Sequence, residues 1–270
     1  MTWVNVTLDP SVSLFVTSSG RHAAPRCRGW AIPWRSRAAV TNHIVKSFDE
    51  ELRRLKELVK GMGILTSEQL KAAVDAVERS DRAIARRVVE REPEADRMQH
   101  EIDRLSVRLL ALRQPVAVDL REVLSAQRIA NELERICDYA EDLAERFIGL
   151  RMSGEEPHRS LVALARFAVA MVEDAMVAYA CRDNGRAQEV WARDKELDEM
   201  YSACFAELLA YMMENSQRIS AGTQMLMMAR AIERAGDRAT NIAEMVRYLV
   251  GGTLVEEERP KANTTKTLSM

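Results

Sequence analysis

The stretch Glu134-Arg-Ile-Cys-Asp138-Tyr-Ala-Glu-Asp-Leu-Ala-Glu145 returns as Glu233-Arg-Ala-Gly-Asp237-Arg-Ala-Thr-Asn-Ile-Ala-Glu244, every matched position shifted by 99 residues. A fixed internal period of this kind is the mark of a tandem repeat. In each copy an acid is followed four residues later by Asp, inside a segment whose flanks read as helix. That spacing stacks two carboxylates on one helix face.

Working outward, the shift of 99 holds back to Leu109-Leu110 against Leu208-Leu209 and then becomes 102 across a three-residue gap. Beyond the gap Asp81 meets Asp183, Val88 meets Val190, and Glu92-Pro-Glu-Ala-Asp96 meets Asp194-Lys-Glu-Leu-Asp198. Each half therefore carries one acid-x-x-x-Asp on its penultimate helix and one on its last. Antiparallel neighbours would bring the two faces together. Four convergent carboxylates raise one another's pKa unless they are protonated or neutralised. A cation resolves that conflict, and oxygen-only ligation favours Mg, Ca, Mn or Fe over softer ions. Acids at i and i+4 among Arg135, Arg146, Arg234 and Arg238 also describe a solvated charged face, and on spacing alone the two readings are about even. Glu132, Glu141, Glu145 and Glu244 read as surface charge. Asp142 and Asn241, one turn beyond the pairs, are outer-ligand candidates.

Redox di-iron bundles place His three residues after Glu on two helices. Here Cys137 and Gly236 occupy that slot, and none of His22, His43, His100 or His158 does, so oxidase chemistry is disfavoured. Gly-rich phosphate loops, Ser/His/Asp sets and nucleophile elbows are absent, and no catalytic residue is assigned.

The chain of 270 residues has a formal net charge of −2. Its first 40 residues hold five Arg and one Asp, leaving 34 basic and 40 acidic residues in the remainder, which argues against a nucleic-acid partner. Cysteines 27, 137, 181 and 204 lack metal-type spacing and read as free thiols in a reducing compartment. No run reaches the length of an apolar membrane span. Residues 1–41 are Ser/Pro/Arg-rich and aperiodic, and are expected to be a disordered leader, or to precede a true initiator at Val40.

From Asn42 on, apolar residues recur at three- and four-residue spacing in an Ala/Leu/Glu/Arg-rich sequence, which predicts an all-α fold. Helices are predicted over 42–61, 67–79 and 117–150, with the third stretch, up to Arg113, interrupted at Pro93. The Gly61-Met-Gly63 break is followed by Thr66 or Ser67 as a cap. The second half predicts 158–181, 184–214 and 222–250. Two tandem three-helix bundles of elongated helices follow, over 42–152 and 156–250, the first helix being split in the N-terminal copy, with a disordered tail over 251–270.

The two signatures resemble the ERIGD-x-A-x-N-I-A-E pair of the PhoU family. The likeness extends over 42–250, including His43-Ile-Val-Lys-Ser-Phe-Asp-Glu-Glu-Leu52, Arg113-Gln-Pro-Val-Ala-Val-Asp-Leu-Arg121 and Tyr211-Met-Met-Glu-Asn215. The resemblance implies a cytoplasmic, commonly dimeric, non-enzymatic protein. It implies restraint of phosphate uptake and repression of the phosphate-starvation response. The implied partners are a phosphate ABC transporter ATPase and a sensor histidine kinase of two-component signalling, which would provide the only association with the membrane. It further implies Fe, Mn, Mg or Zn ions on Glu92, Asp96, Glu134 and Asp138 in one half and Asp194, Asp198, Glu233 and Asp237 in the other. Two departures bear on that set: Cys137 stands where the signature has Gly, and Pro93 disfavours helical geometry at Glu92, which would turn Glu92 away from Asp96. A carboxylate-ligated metal store or oxidase, and an accessory subunit of another phosphate permease, are the alternatives.

Overall fold

The computed structural model describes residues 37–150 and 158–253. Most of the leader, the residues between the halves and most of the tail fall outside them. The described residues form seven α-helices: α1 Arg37–Glu78, α2 Arg82–Arg113, α3 Ala117–Gly149, α4 His158–Cys181, α5 Asn184–Ala192, α6 Asp194–Glu214 and α7 Ile219–Gly251. They contain no strand. The chain divides into the units Met1–Thr41 and Asn42–Met270, and the helical core belongs to the second.

The repeat is written into the turns as well as the helices. Ser80 (φ 55°) and Arg182 (φ 54°) occupy the left-handed region at matched positions. Asp81 and Asp183 follow as N-caps, accepting from Ala83 N at 2.8 Å and from Arg186 N at 3.1 Å. Each satisfies donors that the first helical turn leaves without a partner. Counted back from these caps at the same shift of 102, buried Val59, Met62, Thr66, Gln69, Leu70, Ala73, Ala76 and Val77 fall on buried Leu161, Leu164, Ala168, Met171, Val172, Ala175, Ala178 and Tyr179. The first helices of the two repeats are thus the same element used twice.

Equivalent helices meet antiparallel. On α3 and α7, Arg128 lies by Met245, Glu132 by Asn241 and Arg146 by Gln224, one number falling as the other rises. On α1 and α4, Gly63 lies by Met176 and Asp75 by Arg166. Antiparallel equivalents require a pseudo-twofold rotation between the repeats, and one apolar core runs through both, from Leu52 to Leu249.

Three local expectations are corrected. α1 does not break at Gly61-Met-Gly63. Both glycines sit inside a 42-residue helix because neighbours occupy the space of a side chain: a Cβ on Gly63 would stand 2.3 Å from Met176 Cε, and one on Gly61 3.3 Å from Met98 Cε. Close packing there offsets the propensity penalty of about 1 kcal/mol per glycine. Thr66 is accordingly no cap; its hydroxyl donates to the Leu133 carbonyl at 3.4 Å and accepts from Cys137 Sγ at 3.3 Å. Secondly, α2 runs through Pro93 without interruption, and the break falls instead in the second repeat, at Arg193 between α5 and α6. The repeat partner of Pro93 is Lys195, second residue of α6. A first helical turn needs no N–H donor, so the second repeat breaks where a proline would be tolerated, while the first repeat carries its proline in the interior of a continuous α2. Thirdly, the last helix begins at Ile219, before Gly222, after a single 3-10 turn at Ser216–Arg218.

Candidate functional site

In the first repeat, α2 carries Glu92 and Asp96 and α3 carries Glu134 and Asp138, and the two faces converge. The Glu92 carboxyl is pushed above the usual range by burial and then by Asp96 and Asp138. Glu134 is raised by burial, by Asp138 on its own helix and by Asp96 and Glu92 across the groove, Arg135 opposing. Asp138 is raised by burial and by Asp96, again against Arg135. The influence of Asp96 on Glu92 shows that Pro93 does not separate them, and the expectation that it would is corrected.

A fifth carboxyl belongs with these. Glu141 is raised by burial and then by Glu92, Glu145, Asp138 and Asp96. Its signal was present in the sequence, since it lies three residues after Asp138 and seven after Glu134, on the same face. It read as surface charge because its repeat position holds Thr240 rather than an acid. Among the described residues none of these five acids forms an ion pair. Raised folded-state pKa values mean that the protonated forms are favoured by folding. Their contribution to stability is present in acid and lost as pH rises through the folded values.

The second repeat uses the same positions differently. Asp194, only 1% exposed, accepts from the Thr240 hydroxyl at 3.0 Å, and Glu233 accepts from Arg230 Nη1 at 3.0 Å. Thr240 is the repeat partner of Glu141, so a hydroxyl donor stands here where the first repeat has another negative charge. Between the acids, Leu197 on α6 presses on Gly236 of α7, where a Cβ would stand 2.3 Å from Leu197 Cδ2. Asp198 and Asp237 flank that contact at half-exposed positions. The outer-ligand candidates are engaged elsewhere: Asp142 pairs with Arg146 at 2.8 Å, and Asn241 Nδ2 donates to Glu132 at 2.9 Å.

The chemistry of the donor set fits a hard cation in the first repeat, where carboxylates repel one another with only Arg135 in opposition. It fits less well in the second, whose two buried acids are met by Thr240 and Arg230. Among the described residues no three acidic, His or Cys side chains are spaced to share one ion as they stand. Burial pushes the Cys137 thiol up to about 12, and its Sγ donates to the Thr66 hydroxyl at 3.3 Å. His100 is turned to the Asp96 carbonyl, 2.7 Å from its Nδ1. No described helix is long and apolar enough to cross a membrane.

Sequence reading also missed Glu122 and Glu132. Glu122 is 2% exposed and receives Arg182 and, at 3.4 Å, Lys56. Glu132 receives Arg238 at 3.3 Å in the α3–α7 seam. Neither lies in a motif, and their partners come from the other repeat or a distant helix.

The model of the PhoU domain matches residues 59–147 and 161–246. A phosphate-specific transport system accessory protein PhoU homolog of Caulobacter vibrioides is 39% identical over 226 residues, 82% of this chain and 97% of that protein. A homolog of the same name from Rhizobium meliloti is 38% identical over 228 residues, 84% of this chain and 96% of that protein. The crystal structure of PhoU from Pseudomonas aeruginosa superposes with a TM-score of 0.73 at 38% identity, over 76% of this chain and all of that one. The phosphate transport system regulatory protein PhoU of Streptococcus pneumoniae gives 0.72 at 28% identity, over 78% of this chain and all of that one. With both repeats matched and a common fold, the chain belongs to the PhoU family.

Proposed function

We propose that this protein is a cytoplasmic, non-enzymatic adaptor that restrains phosphate uptake and represses the phosphate-starvation response when phosphate is plentiful. In this reading it couples the ATPase of a high-affinity phosphate ABC transporter to a sensor histidine kinase, and works as a homodimer. The observation that carries the proposal is the near end-to-end match, across both repeats, to relatives named as accessory proteins of phosphate-specific transport. Deleting the gene in phosphate-replete cells is expected to derepress phosphate-responsive promoters, measured by reporter expression. Unchanged expression would remove the signalling role.

In the same reading Glu92, Asp96, Glu134 and Asp138, joined by Glu141, hold a divalent cation of the Fe, Mn, Mg or Zn set, and its charge supports the α2–α3 pairing. Asp194, Asp198, Glu233 and Asp237 are the corresponding set of the second repeat. Thermal unfolding across mildly acidic to neutral pH, with and without Mn2+ or Mg2+, tests this. Without metal, stability falls as pH rises through the raised carboxyl values; with metal it is restored, by about 2.7 kcal/mol at a hundredfold excess over Kd. Asp138→Asn should flatten the pH profile and abolish the metal response, and a wild-type curve indifferent to metal would defeat the idea. The same convergent carboxylates are what favours the second reading, a metal store or oxidase. It requires stoichiometric Fe or Mn by elemental analysis together with oxygen consumption.

A further inference from the structure

The groove between the first and penultimate helices is furnished differently in the two repeats. In the second, Asp174 on α4 reaches across it to Arg193 Nη2 at 2.6 Å and towards Arg186 Nη1 at 3.9 Å. In the first, at the shift of 102, Ala72 stands in the place of Asp174. Two arginines face that place all the same: Arg91 is the partner of Arg193, and Arg87, one turn before it, stands where the second repeat has Glu189, while Ile84 replaces Arg186. Gln69, Ala72, Ile84, Arg87, Val88 and Arg91 line an open cavity of about 260 Å³. A second exchange runs the same way. Gln69, one turn before Ala72 on α1, replaces Met171; it is 2% exposed and its Nε2 has no hydrogen-bond partner. A buried donor left unpaired is costly.

We propose that this groove binds a small tetrahedral oxyanion, seated where the Asp174 carboxylate sits in the second repeat. Arg87 and Arg91 donate to it from α2 and the Gln69 amide from α1. Relative to the second repeat, the first has lost an acceptor and gained a donor at one place, so donors there outnumber the acceptors that the protein provides. Its own acids do not make up the difference. Glu68 and Glu94 approach Arg91 only at 3.8 and 3.4 Å, from side chains that are 60% and 44% exposed, where such pairs contribute little. Among the described residues Arg87 forms no ion pair. Two guanidinium groups and an amide on facing walls suit an anion whose acceptor oxygens point in several directions. The cavity is smaller than those that enclose drug-sized ligands, so a bare oxyanion fits it better than a nucleotide.

The test copies the second repeat onto the first. Inorganic phosphate is titrated into the full-length chain at constant ionic strength, with chloride alone as the control and a chelator present so that no cation on the acids of α2 and α3 carries the anion. Calorimetry follows binding, and the melting temperature rises with any ion that binds the folded form alone. The expected result is saturable uptake of one phosphate by the wild type. Arg87→Gln, at an exposed position, should weaken it roughly tenfold, as for the loss of one charge-assisted hydrogen bond. Ala72→Asp should abolish it and raise the melting temperature of the ion-free chain, because the new carboxylate pairs with Arg91 as Asp174 does with Arg193. A wild type without saturable binding overturns the proposal, and so does an Ala72→Asp chain that binds phosphate as the wild type does, which would place the ion elsewhere. Should Ala72→Asp not fold, Gln69→Met, the residue that the second repeat carries there, replaces it and must weaken binding.

Discussion

A Lys56→Met, Arg182→Met double variant should lose about 3–5 kcal/mol of stability, the range for stranding one member of a buried ion pair. Glu122 sits near the start of α3 with 2% of its surface exposed, and these two cations are what it faces. Lys56 comes from α1, while Arg182 comes from the turn between α4 and α5, so the triad joins helices of both repeats. The cations are not equally buried with the acid: the Arg182 side chain is 42% exposed and that of Lys56 32%. Burial, then Arg182, lowers the Lys56 pKa, with Asp119 opposing. Removing the acid instead leaves two cations that reach water, so Glu122→Leu alone should cost only about 1 kcal/mol. Adding Glu122→Leu to the double methionine variant should then return most of the loss, because no buried charge remains. The stranded Glu122 would take up a proton more readily, so the double variant should recover stability on acidification and lose it as pH rises. Urea unfolding at two pH values measures all of this. Equal losses for removing the acid and removing the cations would show that the triad is held by packing alone.

What the sequence disclosed and what it hid divide along physical lines. Helical class, the repeat and the two acid pairs per half were legible because each is local: a 3.6-residue apolar period, a constant shift, an i to i+4 spacing. The glycines of α1 misled because Gly61 and Gly63 signal both a break and a close approach, and only the position of Met176 or Met98 decides between them. Pro93 misled for a related reason. A proline ring reads as a helix breaker, and whether the helix nonetheless runs through it, as α2 does, depends on tertiary packing. The acid sites were legible as sets of side chains but not as electrostatic environments. Thr240 and Glu141 are repeat partners of opposite character, and the difference matters only once Asp194 and Glu92 are known to lie across the groove from them. Glu122 and Glu132 lie beyond any single-segment reading, since each meets a cation from a segment far apart in the chain.

The second large effect concerns how the two repeats solve the same packing problem. In the second, Leu197 presses on Gly236; in the first, the matched residues are Ala95 and Cys137, buried like their partners. One repeat pairs a large side chain with none, the other pairs two small ones, so the departure at Cys137 is matched by a smaller residue on the facing helix. Leu197→Ala alone should cost about 2–5 kcal/mol, as transfer loss plus the cavity left above Gly236. Gly236→Cys alone places a Cβ 2.3 Å from Leu197 Cδ2 and should cost about 1–3 kcal/mol in overpacking, reduced by a few tenths because Gly is the poorer helix former. Made together they recreate the Ala95–Cys137 arrangement: the sulfur enters the cavity and the clash is gone. The double variant should therefore lose less than the two singles combined, by about 1–3 kcal/mol of coupling. Urea unfolding of the four chains gives the cycle, and losses additive to within about 0.5 kcal/mol would mean that the two repeats reached their packing independently of this exchange. The acids on either side make the geometry consequential. Asp194 on α6 keeps its Thr240 partner on α7 only while the two helices stay at the separation that Leu197 on Gly236 sets, so the single Gly236→Cys variant should also raise the exposure of Asp194, whereas the double variant should not.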